Sequence, residues 1–387
     1  MNAPGCPDEY KGREQTYIKH TLLKTYLERL FMIVGHHEKV ICYVDCFAGP
    51  WQEGSNNLKD TSISISLEIM KKCRDGLRES HKEVRFRALY IENDERAFKK
   101  LESFLNEQSF NGIEAHALKG DFINLRSNIL RWCGDKDFTF FFIDPKGWKQ
   151  AVEIPTLRPL LERSHSEFLI NFMYDFILRT LNQEAFSEDI KAIFGEVPDT
   201  KNMMPKEIER LLLKIYRAYL KHVQRGKGEE PRSAHVAVLH PVKERTKYHL
   251  VYLTRHPLGI KVFMEASEKV SLIQRQVRAH TQREQRIEKS GQSEMFCDTE
   301  ITGNLNEQID LDEVKKYWLS KLSSTPKSFG IIELADMIEE TDWFVMDFQN
   351  AFKELENDGR VENLDKQRKR PVHTVKFEKE EKLVRIK

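Results

Sequence analysis

Five short apolar runs separated by stretches of helical pattern constrain this chain more than any other feature: Val40 to Asp45, Phe86 to Glu92, Ala115 to Gly120, Phe138 to Asp144 and Glu167 to Phe172. A run that is apolar at successive positions has no polar face to give to water, so each predicts a strand covered on both sides. Between them, Ile63 to Cys73, Arg96 to Asn106 and Ile123 to Cys133 read as helices. Strands alternating with helices imply an open, doubly wound, mainly parallel sheet, whose ligands sit outside the carboxyl ends of the strands. A helical insertion marked by Ile208, Leu212, Tyr216 and Leu220 precedes two more β-rich runs, Ala234 to His240 and Tyr248 to Thr254, which would complete a seven-stranded sheet.

The first four runs each end on, or one residue before, an acid. Tyr43-Val44-Asp45-Cys46-Phe47-Ala48-Gly49-Pro50 closes the first strand with Asp45 and a small-residue turn, in which Ala48 and Gly49 permit close backbone approach by a cofactor. Glu92 closes the second, where a carboxylate can accept both ribose hydroxyls of a nucleoside. Asp121 and Phe122 follow the third, offering an acceptor for an adenine amino group and an apolar ring. The fourth reads Phe140-Phe141-Phe142-Ile143-Asp144-Pro145-Lys146-Gly147-Trp148. It is similar in kind to the D-P-P-Y and N-P-P-Y signatures of amino-methylating enzymes, with Lys146 in place of the second proline and Trp148 displaced by one position. Each acid also has a plainer reading as a helix cap or surface charge, and Trp148 as a core residue. Four acidic ends in strand order point together to a nucleoside-cofactor crevice, with S-adenosylmethionine as the expected cofactor. The missing G-x-G-x-x-G speaks against a dinucleotide, and acids spread over four strand ends suit a nucleoside better than one metal ion.

The turn from Tyr43 to Pro50 and the strand end from Phe141 to Trp148, with an amphipathic helix from Gln15 to Val34 that carries Lys19 and Tyr26-Leu27 and is expected on the sheet edge, and with a C-terminal winged-helix-like tail, together resemble the three-Cys-motif partner protein family, TcmP. The resemblance implies a Rossmann-like domain of the class I methyltransferase type. It also implies a companion protein bearing a three-cysteine motif of the radical-SAM kind as a partner. From the fourth strand end itself, Asp144, Pro145, Lys146 and Trp148 are the candidate catalytic residues. Asp45, Phe47, Ala48, Gly49, Glu92, Asp121 and Phe122 are the candidate cofactor-binding residues.

The predicted organisation is an N-terminal helical segment over 1–38, the Rossmann-like domain over 39–267 with its insertion at about 180–230, a polar connector over 268–306, and a winged-helix-like domain over 307–387. In the last, three helices and the turn Asn357-Asp358-Gly359-Arg360 lead to a β-like tail through Thr374 to Phe377. Lys366-Gln367-Arg368-Lys369-Arg370 forms a basic wing suited to phosphate contacts, while Asp347, Glu354 and Glu356 on the third helix would oppose phosphate, so nucleic acid and a protein partner both stay open. Arg275, Arg278, Arg283 and Arg286 in the connector would extend a basic track or form a solvated face with Glu284 and Glu288. Lys+Arg 62 against Asp+Glu 61 supplies no global field, so a nucleic-acid partner must rest on such local patches. Six cysteines without a C-x-x-C pair argue against a disulfide framework or a zinc site. With no apolar leader or bilayer-length stretch, the expected setting is soluble and cytoplasmic.

Overall fold

Alternating side chains of the central strands feed two separate cores. Tyr43, Phe140 and Phe142 enter one, and Val44, Phe141 and Ile143 the other. The computed structural model describes residues 6–49, 61–107, 112–145, 147, 150–224, 230–290, 309–368, 370 and 372–386. Within these, β1 (Val40–Asp45), β2 (Arg85–Glu92), β3 (Ile113–Lys119), β4 (Phe138–Ile143), β5 (Ser166–Phe172), β6 (Arg232–Leu239) and β7 (Thr246–Thr254) form one sheet in the order β3-β2-β1-β4-β5-β7-β6. β1 to β5 pair in parallel, and β7 runs antiparallel between β5 and β6. This is a Rossmann-like sheet of the class I methyltransferase type.

On one face lie α1 (Glu14–Gly35), α2 (Ser62–Glu79) and the first half of α9 (Pro257–Ser290). On the other are α4 (Phe122–Cys133), α5 (Ile154–Leu161), α7 (Ser187–Phe194) and α8 (Pro205–Gln224). α3 (Glu95–Glu107) follows β2, and the short α6 (Tyr174–Thr180) follows β5. The N-terminal helix departs from its expected place at the sheet edge. α1 crosses the middle of a face, with the Tyr26 ring 5.9 Å from Phe140, 5.2 Å from Tyr252 and 5.6 Å from Phe263. Its stripe Leu22, Leu23, Leu27 and Phe31 is buried, and an edge would have left part of it wet. Among the described residues of the β1–β2 crossover lies α2, with Thr61 as its N-cap, while 50–60 fall outside the described residues. α9 runs unbroken across position 267, because Val270, Gln274 and Val277 are still buried beyond that point.

The C-terminal unit consists of α10 (Leu311–Lys321), β8 (Lys327–Phe329), α11 (Ile331–Thr341), α12 (Val345–Asn357), β9 (Val361–Asn363) and β10 (Glu381–Arg385). Its sheet has the order β8-β10-β9, all antiparallel. The return strand is Glu381–Arg385 rather than the predicted Thr374 to Phe377, and the Ser/Pro/Gly break contributes the third strand. Trp318 fills the core of this unit and donates its indole N–H to the Phe348 carbonyl at 3.0 Å. Ion pairs tie α11 to the outer elements of the large sheet: Arg217 with Asp342 at 2.6 Å, Lys221 with Glu339 at 2.9 Å and Arg232 with Asp336 at 2.6 Å.

Phe141, fully buried in β4, stacks on Phe168 of β5 at 5.1 Å. Phe141→Ala is expected to cost about 3–5 kcal/mol in a urea melt, the usual range for an emptied aromatic site; a loss below about 1 kcal/mol would contradict this packing.

Candidate functional site

Parallel pairing of β1 with β2 and β4, and of β2 with β3, brings the carboxyl ends of four strands to one rim. The chain is stitched together there by backbone bonds: Cys46 N–H to Phe142 O at 2.9 Å, Ala48 N–H to Ile91 O at 2.8 Å and Gly120 N–H to Glu92 O at 3.0 Å. A crevice of ≈ 510 Å³ opens between these turns. Phe47, Gly49, Glu92, Asp121, Phe122 and Pro145 all line it. The Phe47 and Phe122 rings, 5.3 Å apart at 51°, form one wall.

Gly49 is required by close approach. A Cβ at this position would lie 1.8 Å from Glu92 Oε2, so any side chain would drive the carboxylate aside. Glu92 is held from its other oxygen, where Oε1 accepts the Asp94 N–H at 2.7 Å. Asp121 caps α4 through Ile123 N–H at 2.8 Å and also lines the crevice. Gly120, at φ +141°, makes the bend that separates β3 from α4.

Asp45 and Asp144 do not line the crevice with Glu92 and Asp121. Both turn toward the α1 side of the sheet, because Asp45 stands opposite Phe142 in register and Asp144 follows two residues later. Asp45 is fully buried, with Oδ1 accepting the Phe47 N–H at 3.1 Å and Oδ2 the Ser62 hydroxyl at 2.6 Å. Asp45 thereby locks the turn between β1 and α2. Burial raises the Asp45 pKa to about 7 against the lowering effect of these two hydrogen bonds. Asp144 pairs through Oδ2 with Lys19 of α1, and its Oδ1 accepts from Asn171 Nδ2 of β5 at 2.7 Å. Ala48 is buried beneath the turn, and Lys146 and Trp148 fall outside the described residues.

Sequence reasoning did not single out Ser62 or Asn171 and gave Lys19 no chemical role. No local pattern announces them, because Lys19 lies 125 positions from its partner and Asn171 27 positions. Two of the four basic residues of the wing are neutralised within the chain. Lys366 pairs with Glu356, and Arg370 with Glu381 at 2.7 Å, while Lys369 is outside the described residues. In the connector, Arg278 is taken up by Glu244 at 2.8 Å and by the His240 carbonyl at 3.0 Å. Among the described residues, no group of three His, Cys, Asp or Glu side chains is placed to hold a metal ion, and no helix is long and apolar enough to cross a membrane.

No family model matches the chain, and no curated protein is similar to it in sequence. Among solved structures, a protein of the DUF519 family from Legionella pneumophila strain Philadelphia 1 is 11% identical, with a TM-score of 0.35 over 64% of this chain and 90% of its own. A loganic acid methyltransferase with SAH is 9% identical, with a TM-score of 0.27 over 72% of this chain and 92% of its own. Human methyltransferase-like protein 13 in complex with SAH is 13% identical, with a TM-score of 0.23 over 58% of this chain and 95% of its own. Likenesses this distant assign neither substrate nor site.

Because burial holds the folded-state pKa of Asp45 above its ordinary 3.8, at about 7, the folded chain takes up a proton that the unfolded chain lacks within that window. Stability contributed by this group is therefore present at low pH and lost as pH rises toward 7. Asp45→Asn keeps the shape of the side chain, its amide oxygen accepting from Phe47 N–H and its NH2 donating to the Ser62 hydroxyl. The variant is expected to flatten this part of the pH profile in urea melts; a slope identical in variant and wild type would contradict the assignment.

Proposed function

We propose that the rim crevice binds S-adenosylmethionine and that the chain is an S-adenosylmethionine-dependent methyltransferase acting on an amino group. The observation that carries this reading is the convergence of Gly49, Glu92, Asp121 and Phe122, from the ends of β1, β2 and β3, on one crevice of ≈ 510 Å³. That volume is within the usual range for small-molecule sites. The residues also fit the ligand chemically: the cradle at Gly49 leaves no room for a Cβ, and Glu92 brings a fixed carboxylate to the position a ribose would take. In this reading Glu92 accepts from the ribose hydroxyls, Phe47 and Phe122 flank the adenine, and Asp121 accepts from its amino group.

The cofactor supplies a methyl group already activated on a sulfonium, so the task left to the protein is alignment. Asp144 and the Pro145 carbonyl are the proposed acceptor-orienting groups, and Lys146 and Trp148, which follow them in the sequence, are proposed with them. Lys19 and Asn171 hold the Asp144 carboxylate in one rotamer. Nucleic acid remains the proposed acceptor class on the strength of Trp148 as a stacking surface; the paired Lys366 and Arg370 remove part of the support from the wing.

A second reading is that of a non-catalytic partner that docks a three-Cys-motif protein. It is favoured by the same pair of contacts, since both Asp144 oxygens are already engaged by the chain's own donors.

Calorimetry with S-adenosylhomocysteine tests the first reading. The wild-type chain is expected to bind, and Glu92→Gln to bind about 10- to 100-fold more weakly, the effect of weakening hydrogen bonds to a charged acceptor. Asp144→Ala is expected to lose methyl transfer while its affinity stays within about threefold of wild type. Absence of binding by the wild-type chain would sink the enzyme reading, and unchanged transfer by Asp144→Ala would remove Asp144 from the mechanism.

A further inference from the structure

A second cavity, of ≈ 520 Å³, opens at the opposite rim of the sheet, where β4 and β5 begin and antiparallel β7 ends. Its walls are apolar, built from Leu30 and Val34 of α1, Phe138 of β4, and Leu258 and Val262 of α9. At its floor lies Glu167, only 6% exposed.

The floor is held together by hydroxyl donors. Glu167 Oε2 is 2.9 Å from Tyr26 Oη and 2.8 Å from Tyr252 Oη, the two phenol oxygens are 2.6 Å from each other, and Glu167 Oε1 accepts from Thr254 Oγ1 at 2.8 Å. Burial pushes the Glu167 pKa up.

At the mouth stand Arg255, His37, His165 and His256, with Glu38 beside them. Arg255 donates to the carbonyls of Arg163 at 3.1 Å, Gln224 at 3.0 Å and Leu161 at 3.4 Å, and its Nε has no partner. It makes no ion pair among the described residues, and burial lowers its pKa. A partly buried guanidinium held only by carbonyls is a cation without a counter-charge, and such groups are ordinarily paired.

We propose that this cavity binds an amphiphilic carboxylate, with its apolar body against Leu30, Val34 and Val262 and its carboxylate toward Arg255 and the histidines. The apolar wall accommodates an apolar body and distinguishes such a molecule from an inorganic anion, and the guanidinium of Arg255 selects an anionic head. The site is separate from the rim crevice and stands independently of the methyl-transfer reading.

The test is calorimetric titration of the full chain with decanoate and, in parallel, with decanol at neutral pH. Decanoate is expected to bind at least about tenfold more tightly than decanol. Leu30→Trp, which fills the wall, is expected to abolish binding of both. Arg255→Gln is expected to bring decanoate to the affinity of decanol, while Arg255→Lys, which keeps the charge, retains the preference. Should Arg255→Gln fail to fold, the wild-type comparison and Leu30→Trp decide the matter. No binding of decanoate, equal affinity for the two probes, or decanoate binding that survives Leu30→Trp overturns the proposal.

Discussion

Parallel pairing of β1 with both β2 and β4 is the constraint on which the rest of the molecule depends. It delivers four acidic strand ends to one rim, where each must find a partner or stay wet. The four are satisfied in different ways, and those differences define the site. Asp45 and Asp144 are consumed by long-range contacts, the first with Ser62 and the second with Lys19 and Asn171. Glu92 and Asp121 accept local backbone N–H groups and still border open space. The same sheet thus makes a lock on one side of the rim and a ligand crevice on the other.

The fold was legible because burial on both faces forces apolar residues at successive positions, a pattern that survives without tertiary information. Val40–Asp45 is a strand with the bounds its composition indicates, and the insertion helix is found over Pro205–Gln224. Gly49 was legible for the same reason, since close approach leaves its mark on composition. The direction in which each carboxylate points was not. It depends on register, and β1 and β4 share a register that aims Asp45 and Asp144 away from Glu92's crevice. Nor could the location of α1 be read, because an amphipathic stripe says that a face is covered and leaves the covering surface open. The wing shows a third limit: five consecutive residues, four of them basic, look like a phosphate site until Glu356 and Glu381 are seen beside Lys366 and Arg370.

The strand order separates the parts of the molecule. β3 and β2 carry the crevice at one side of the sheet, whereas β6, at the far edge, receives α11 through Arg232. A polar chain links that edge to the rim through Arg217, Asp342, His235 and His249, with Glu209 accepting from His249 at 2.8 Å. Burial lowers the His249 pKa to about 4, so this histidine is a neutral spacer near neutrality. The C-terminal unit is therefore fixed to the large domain by charge and hydrogen bonding as well as by its contact with α9, and its third helix, with Asp347 packed toward Glu268 and Arg275 of α9, does not present a basic surface.

The central claim is geometric, and a crystal structure of the chain with S-adenosylhomocysteine tests it most directly. The account places the ribose hydroxyls within hydrogen-bond reach of Glu92, about 3 Å, with the adenine beside Phe122 and Phe47 and the sulfur toward Pro145. Ligand bound elsewhere on the chain, or a Glu92 carboxylate that stays folded against Gly49 with no nucleoside contact, would contradict it.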